Sequence, residues 1–203
     1  ASNENKVLTD FINTGTYNIN REFYLTDSPS MDILISSNLE RLLYHLGDQN
    51  GEEIAGLMES LKRDKKYTVS PKINYALDIF YGGYADGKRA SAAIGDMYRK
   101  HNYLMDTHTA VAYRVYEDYV AYTGDPTPSL IAGTASAYKF AESVSDAIGI
   151  GRGEDGFSSI KKLYEATGVR VPVALKGLEK KAVRHEGVVS IEDMPAAVKG
   201  SLK

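Results

Sequence analysis

A short apolar run between two helix-length patterns is the feature that most constrains how this chain folds. The run is SLIAG, residues 129–133. Before it, apolar spacing predicts a helix over residues 109–122, and after it Phe140, Val144 and Ile148 fall on one face of another helix. A helix, a buried strand and a second helix in succession are typical of a parallel α/β sheet. The pattern therefore predicts a helix-rich α/β fold with a short parallel strand at residues 129–133.

Helical spacing recurs along the rest of the chain. The first helix is predicted through Val7 and Phe11, with Asn3 or Asn5 as its N-cap and Gly15 as its stop. Further helices are predicted over residues 39–46, 52–62, 89–101 and 157–166, from Pro71 onward, and twice more near the end of the chain. These patterns divide the chain into a first helix and connection (1–25), a helical segment (26–101), an α/β core segment (102–148) and a helical tail (149–203).

Charge and composition exclude several classes of protein. With 24 basic and 27 acidic residues, the chain has no excess of positive charge for a phosphate backbone, so we expect no nucleic-acid partner. No apolar run is long enough to cross a bilayer, so we expect no membrane association. The chain has no cysteine. It can therefore form neither disulfides nor thiolate metal sites, and it fits a reducing compartment, which predicts a cytoplasmic location.

The remaining motifs argue against metal and nucleotide sites. The four histidines lack the close spacing of metal ligands: His45, His101, His108 and His185. His108 stands beside Asp106 and Thr107 at a predicted helix start, so either neighbour can cap the helix, or His108 belongs to a site. The glycines of GIGRGEDG, residues 149–156, follow a helix rather than a strand, which indicates a loop instead of a dinucleotide-binding turn.

Two hydroxyl residues, Thr134 and Ser136, follow the predicted strand and precede a helix. Ligands of parallel sheets bind at the carboxyl ends of strands, so both hydroxyls are candidates for ligand contact. The alternative is that they cap the helix that follows, as such residues usually do. Lys139 lies in the first turn of that helix, where the helix dipole disfavours a cation unless it meets an anion or points into water. The residues alone leave these alternatives open.

Four segments together resemble a known family. ASNENKVLTDFINTGTY, SPSMDILISSNLERLL, MDTHTAVAY and GTASAYKF occur in the order and at the separations found in the C-terminal half of bacterial threonine synthase. The resemblance implies a portion of a fold type II, tryptophan-synthase-β-like enzyme, with a three-layer α/β/α architecture and short parallel strands. It further implies pyridoxal 5'-phosphate (PLP) as cofactor and conversion of O-phospho-L-homoserine and water to L-threonine and phosphate.

The resemblance also assigns roles to particular residues. Thr134 matches the threonine of the family's Ser/Thr-Ala-x-Pro-x-Lys-Phe stretch, which implies a hydrogen bond to the cofactor's ring nitrogen. His108 falls in the Asp-Pro-His-Thr-Ala-Val stretch, and Asn38 and Arg41 fall in Ser-Asn-Leu-Glu-Arg, so these three are expected to line or support the site. Lys139 is expected to approach the substrate phosphate.

The sequence departs from the family pattern in two ways. Thr107 and Ala137 stand where the family often has proline, so the two turns are expected to be less rigid. The family's Ser-Phe-Lys-Asp segment, which carries the Schiff-base lysine, has no match. Lysines with serine two positions before them lack the Phe and Asp of that segment: Lys72, Lys161 and Lys203. The resemblance therefore implies a C-terminal portion that needs the N-terminal half of the same polypeptide and is inactive alone.

Two other functions are compatible with this sequence. One is a threonine-synthase-like phospholyase, which would share the fold and cofactor but release no threonine. The other is a non-catalytic α/β interaction module that keeps the family's helices.

Overall fold

The computed structural model describes residues 1–184 and 186–202; His185 and Lys203 lie outside the described residues. The described chain contains two compact units, Ala1–Val171 and Pro172–Lys203. The elements of the first unit are α1 (Val7–Thr14), β1 (Thr16–Asn18), α2 (Ser37–Leu46), α3 (Gly51–Asp64), β2 (Lys66–Thr68), α4 (Pro71–Ala76), α5 (Gly87–His101), α6 (Thr107–Thr123), α7 (Ala141–Ala147) and α8 (Gly156–Thr167). Single 3-10 turns occur at Pro29–Met31, Leu77–Ile79 and Ala137–Phe140.

The second unit is small and mostly exposed. It contains a 3-10 turn at Leu178–Lys180 and one helix, α9 (Met194–Ser201). The two short helices predicted near the end of the chain correspond to these elements, although the first is only a single turn. No helix of residues 1–184 and 186–202 combines the length and hydropathy that a bilayer crossing requires.

The first helix starts differently from the prediction. Lys6 is the N-cap of α1, and its side chain makes no capping hydrogen bond. Asn3 and Asn5 are instead buried, and both donate side-chain hydrogen bonds to Asp32, at 2.7 and 3.1 Å. A cap needs the side-chain oxygen, but Oδ1 of Asn3 accepts from the Asn5 N–H and Oδ1 of Asn5 accepts from the Tyr24 N–H, so the prediction that Asn3 or Asn5 caps α1 is wrong. The predicted stop is confirmed: Gly15 has φ 69° and its N–H donates to the Phe11 carbonyl.

Three aromatic rings form the centre of the main core. β1 and β2 pair antiparallel with Tyr17 opposite Tyr67, and their rings stack at 5.4 Å. Phe11 of α1 packs edge-on against both rings, at 5.7 and 6.0 Å. Aliphatic side chains from α2, α3 and α4 complete this cluster: Leu39, Leu43, Ile54, Leu61 and Ile73. The small sheet thus ties the first helix to a core made mainly by helices.

The first residues of the chain pair with a distant segment. Ser2 forms a parallel bridge with Tyr84; the Ser2 N–H donates to the Gly83 carbonyl at 2.9 Å, and the Ala85 N–H donates to the Ser2 carbonyl at 3.0 Å. Gly83 is required here, because a Cβ atom at this position would lie 2.5 Å from Cγ1 of Val115 on α6. The pairing therefore brings the start of the chain, the segment before α5 and helix α6 together.

Residues 129–133 do not form the predicted strand. The segment from residue 124 to 136 has no helix or strand, and Leu130 is 102% exposed. Within the described residues, the strands are β1, β2 and the isolated Ser2–Tyr84 bridge, and none of them pairs with this segment. A strand needs a neighbour to bind its backbone groups, which apolar sequence cannot supply by itself. The strand prediction for this segment is therefore wrong.

Helices α5 and α6 pack together and share an ion-pair network. Arg89 of α5 and Arg114 of α6 both donate to Asp118, the latter at 2.6 Å. Partial burial raises the pKa of Asp118, but the hydrogen bonds from both guanidinium groups outweigh it, so the pKa lies below its ordinary value of 3.8. A depressed carboxyl pKa contributes stability that is present above the unfolded-state pKa and is lost as pH falls through the folded-state pKa.

We therefore expect Asp118→Asn to lower the free energy of unfolding at pH 7 by about 1 kcal/mol, since the site is partly exposed. The difference between the variant and the original chain should shrink as pH falls below about 4, where the original carboxylate also becomes protonated. Urea unfolding at pH 7 and pH 3 measures both effects. Glu59→Gln on exposed α3 surface is the control. An equal loss at the two pH values would contradict the role given to this network.

Candidate functional site

The N-terminus of α6 organises the candidate site. Asp106, which is 3% exposed, is the N-cap: its Oδ1 accepts from the N–H groups of His108, at 2.9 Å, and Thr109, at 3.3 Å. Its Oδ2 accepts from the Thr109 hydroxyl. A buried carboxylate with these partners is satisfied by the helix start itself. The predicted capping by Asp106 is confirmed, and it fixes the backbone from which His108 projects.

His108 uses both ring nitrogens within the protein. The backbone N–H of Ser30 donates to Nε2 at 3.0 Å. Nδ1 lies 3.3 Å from the Thr107 hydroxyl and 3.3 Å from Oδ1 of Asp106. An acceptor at Nε2 must carry a lone pair, so the geometry assigns the ring proton to Nδ1 in a neutral imidazole. The His108 side chain is only 12% exposed. Its polar edges are therefore directed at the protein.

The segment carrying Thr134 and Lys139 touches the start of α6 at both of its ends. At one end, a Cβ atom built on Gly133 would lie 3.2 Å from the Thr109 hydroxyl oxygen. At the other, the Phe140 ring lies 4.7 Å from the imidazole of His108. The Nζ atom of Lys139 lies 5.3 Å from the centre of the same Phe140 ring, and Lys139 is exposed. These contacts place His108 and the segment 133–140 at one location.

Thr134 and Ser136 have different environments. The Ser136 hydroxyl accepts from the Tyr138 N–H at 3.3 Å and so caps the Ala137–Phe140 turn. Thr134 is exposed, and its hydroxyl has no hydrogen-bond partner among residues 1–184 and 186–202. Of the two alternatives, capping therefore applies to Ser136 alone. The Thr134 hydroxyl is accessible to a ligand.

Asn38 and Arg41 lie close together on α2. Both are exposed on α2, and the Arg41 guanidinium donates to Oδ1 of Asn38. Asn38 also lines a groove of about 310 Å³ together with Leu8 and Leu42. In the described part of the chain, no hydrogen bond or ion pair joins either residue to the start of α6. The structure therefore brings together His108 and the segment holding Thr134 and Lys139.

A small cavity of mixed polar and apolar lining lies beside this site. Its volume is about 80 Å³, and its lining includes Asn3, Ser28, Thr107 and Arg152. A water molecule occupies about 30 Å³ of liquid, whereas sites for small-molecule ligands usually measure about 300 Å³ or more. This cavity is therefore too small for a small-molecule ligand of ordinary size. In the described ranges, no group of three histidine or carboxylate side chains converges as metal ligands.

Sequence reasoning missed one contributor to the site. Ser30 takes part through its backbone N–H, which is a group that almost every residue type carries. No pattern in the sequence could single it out, because its role depends on how the turn Pro29–Met31 is placed against α6. Asp32, whose side-chain carboxylate accepts from the buried amides of Asn3 and Asn5, was also missed, because these partners lie 29 and 27 positions away in the sequence.

Comparisons with known proteins identify relatives of this chain. No family model matches it. It is 38% identical over 153 residues to human threonine synthase-like 1, covering 74% of this chain and 20% of that protein. It is 32% identical over 166 residues to threonine synthase of Pseudomonas aeruginosa, covering 81% and 34%. For threonine synthase of Saccharomyces cerevisiae, the identity is 35% over 164 residues, covering 73% and 32%.

Two solved structures have the same fold. Yeast threonine synthase matches with a TM-score of 0.82 and 26% identity, covering 100% of this chain and 41% of that chain. PLP-bound threonine synthase from Brucella melitensis matches with a TM-score of 0.67 and 29% identity, covering 79% and 34%. The chain therefore has the helix-rich α/β fold of a segment of the fold type II enzymes, as predicted.

The sequence relatives narrow this class further. Over about three quarters of its length, the chain is homologous to the threonine synthase family, which confirms the resemblance seen in its motifs. It spans only about one fifth to one third of the length of these relatives.

Proposed function

We propose that this chain forms one wall of a PLP site in a threonine synthase, with Thr134 hydrogen-bonded to the ring nitrogen of the cofactor. The observation that carries the proposal is the accessible Thr134 hydroxyl. The neighbouring turn is capped by Ser136, so the Thr134 hydroxyl is available to a ligand. A hydroxyl can donate to a neutral ring nitrogen, whereas a carboxylate would favour the protonated ring. The PLP named in the Brucella melitensis relative supports this choice of ligand. When bound, PLP supplies an electron sink for carbanions of an amino-acid substrate.

Two further residues fit the proposed substrate, O-phospho-L-homoserine. Lys139 is exposed beside Phe140, on the same segment as Thr134, and an ammonium group is a suitable partner for a phosphate. His108 also contacts the Phe140 ring and supports the segment. Asn38 and Arg41 are exposed on α2, and we propose that they line or support the same site in the complete enzyme.

The proposed site is completed by other polypeptide, which we identify with the N-terminal half of the same enzyme. The cavity beside α6 is too small for the substrate. The apolar segment 129–133 is mostly exposed and has no strand partner among residues 1–184 and 186–202, and aromatic and aliphatic side chains are exposed elsewhere on the first unit: Leu25, Ile35, Tyr75 and Ile79. Contiguous exposed apolar patches are typical of protein interfaces, and we propose that these side chains contribute to one. We infer that the chain alone is inactive and that the complete enzyme acts in the cytoplasm.

The proposal is tested by product analysis of the polypeptide that carries this chain together with a Ser-Phe-Lys-Asp segment. We expect O-phosphohomoserine to yield phosphate and threonine in equal amounts, with borohydride fixing PLP at the lysine of that segment. Phosphate without threonine would favour the phospholyase. Absence of both products would favour the interaction module.

The matched control is the 203-residue chain alone, treated with PLP and borohydride and mapped by mass spectrometry. We expect no lysine to be fixed stoichiometrically, since Lys72 and Lys161 lack the family's flanking residues. Stoichiometric fixation at one lysine of this chain would overturn the inference that the covalent anchor lies in another part of the enzyme.

A further inference from the structure

We propose that His108 is a positioning residue, and that its neutral imidazole fastens both the turn Pro29–Met31 and the segment 133–140 to the start of α6. The inference goes beyond the proposed function, because it adds a hydrogen bond through which His108 also holds the turn Pro29–Met31. It rests on that function only for the statement that Thr134 and Lys139 face a ligand. The hydrogen bonds around the ring carry the argument.

The donor to Nε2 of His108 is the backbone N–H of Ser30. In the turn Pro29–Met31, the Met31 N–H donates to the Ser28 carbonyl and the Asp32 N–H donates to the Pro29 carbonyl. The Ser30 N–H has no backbone acceptor in the described ranges and is directed at Nε2 of His108. This one bond joins the turn to a residue 78 positions later in the chain. His108 therefore binds the one amide of the turn that the turn itself leaves free.

The Asp32 carboxylate, next to the turn Pro29–Met31, holds this part of the chain through several hydrogen bonds. Oδ1 of Asp32 accepts from the Asn3 amide at 2.7 Å, the Asn5 amide at 3.1 Å and the Thr26 hydroxyl at 2.7 Å. Its Oδ2 accepts from the Thr26 N–H at 2.9 Å. Asn3 and Asn5 are each 2% exposed. A carboxylate with this many partners holds its loop in one arrangement. Ser30 is thus presented to His108 from a fixed support.

The ring nitrogens and the ring face of His108 all have partners within the protein. Nε2 is occupied by Ser30, and Nδ1 faces Asp106 and Thr107, which leaves the ring face for Phe140. A protonated ring would carry hydrogen on Nε2 and lose the bond from Ser30. The arrangement therefore requires the neutral form and offers no free nitrogen to a ligand. Through Phe140, the ring fixes the end of the segment that carries Thr134 and Lys139.

Two NMR measurements on the 203-residue chain without cofactor test this proposal. Nitrogen-15 spectra should show the His108 proton on Nδ1, and a scalar coupling should link the Ser30 amide nitrogen with Nε2 across the hydrogen bond. A proton on Nε2, or no coupling in the folded chain, would overturn the proposal. Because PLP and substrate are absent, the result is independent of the proposed function.

Hydrogen exchange supplies the variant test. His108→Leu should speed exchange of the Ser30 amide by roughly fivefold, since a net hydrogen bond contributes about 1 kcal/mol. His108→Gln, whose side-chain carbonyl can replace Nε2 as acceptor, should retain most of the protection. The Met31 and Asp32 amides, bonded within the turn, are internal controls for its folding. Unchanged Ser30 protection in the leucine variant would contradict the proposal. If that variant fails to fold, the coupling measured in the original chain decides.

Discussion

Replacing Thr134 with valine should lower turnover of the complete enzyme on O-phosphohomoserine by about tenfold or more. Valine keeps the shape of threonine but removes the hydroxyl, which leaves the ring nitrogen of the cofactor without its proposed partner. An unpaired polar group in a closed site costs about 1–3 kcal/mol, which corresponds to a factor of about 5 to 150 in rate if the loss falls on the transition state. Steady-state kinetics with phosphate release as the readout measures this change.

Two controls separate this effect from a loss of structure. Thr134→Ser keeps the hydroxyl and should retain most of the activity. The thermal midpoint should be unchanged in both variants, because Thr134 is exposed and its hydroxyl has no partner within the described residues. Unchanged turnover in the valine variant would refute the contact between Thr134 and the cofactor.

The largest expected loss of stability follows from Phe11→Ala. Phe11 is fully buried and packs against Tyr17 and Tyr67, so its removal leaves a cavity between α1 and the small sheet. Substitutions of this kind lower the free energy of unfolding by about 3–5 kcal/mol. For a chain of this length the midpoint temperature should fall by about 6–20 °C. Urea and thermal unfolding of the 203-residue chain give both values.

Phe23→Ala is the matched control for this prediction. The same side chain is removed, but Phe23 is 48% exposed, so the loss should be much smaller. Similar losses in the two variants would contradict a core centred on the three rings of Phe11, Tyr17 and Tyr67.

Local signals in the sequence predicted the helices well. Gly15 and Gly47 end α1 and α2, and Asp106 caps α6, because each of these effects depends on residues within one helical turn. The predicted helix at residues 157–166 is extended by one residue at each end in α8. The helices therefore follow from apolar spacing and capping residues alone.

The errors arose where distant parts of the chain decide the outcome. The apolar segment 129–133 has the composition of a buried strand, but a strand also requires a neighbour, and none lies beside it among the described residues. Asn3 and Asn5 are residue types that often cap helices, yet their side-chain oxygens accept from the N–H groups of Asn5 and Tyr24, and their amide nitrogens donate to Asp32. No local pattern could anticipate either partner.

The candidate site was predictable only in part. Its hydroxyl and histidine were found because Thr134 and His108 belong to motifs of the threonine synthase family. The distinction between Thr134 and Ser136 required the hydrogen bond from Tyr138. The backbone donor of Ser30 required the tertiary structure, because it lies far from His108 in sequence.

The parallel pairing between Ser2 and Tyr84 also constrains the order of folding. It encloses the first eighty or so residues in one large loop, inside which the β1–β2 pairing closes a smaller one. Contacts of such sequence separation form slowly, since much chain entropy is lost before they stabilise the product. During translation, the nascent chain cannot form the Ser2–Tyr84 pairing until residues 83–85 have left the ribosomal exit tunnel. The cluster of Phe11, Tyr17 and Tyr67 can form earlier, because it needs only the first 67 residues. Folding should therefore proceed from the inner loop to the outer one.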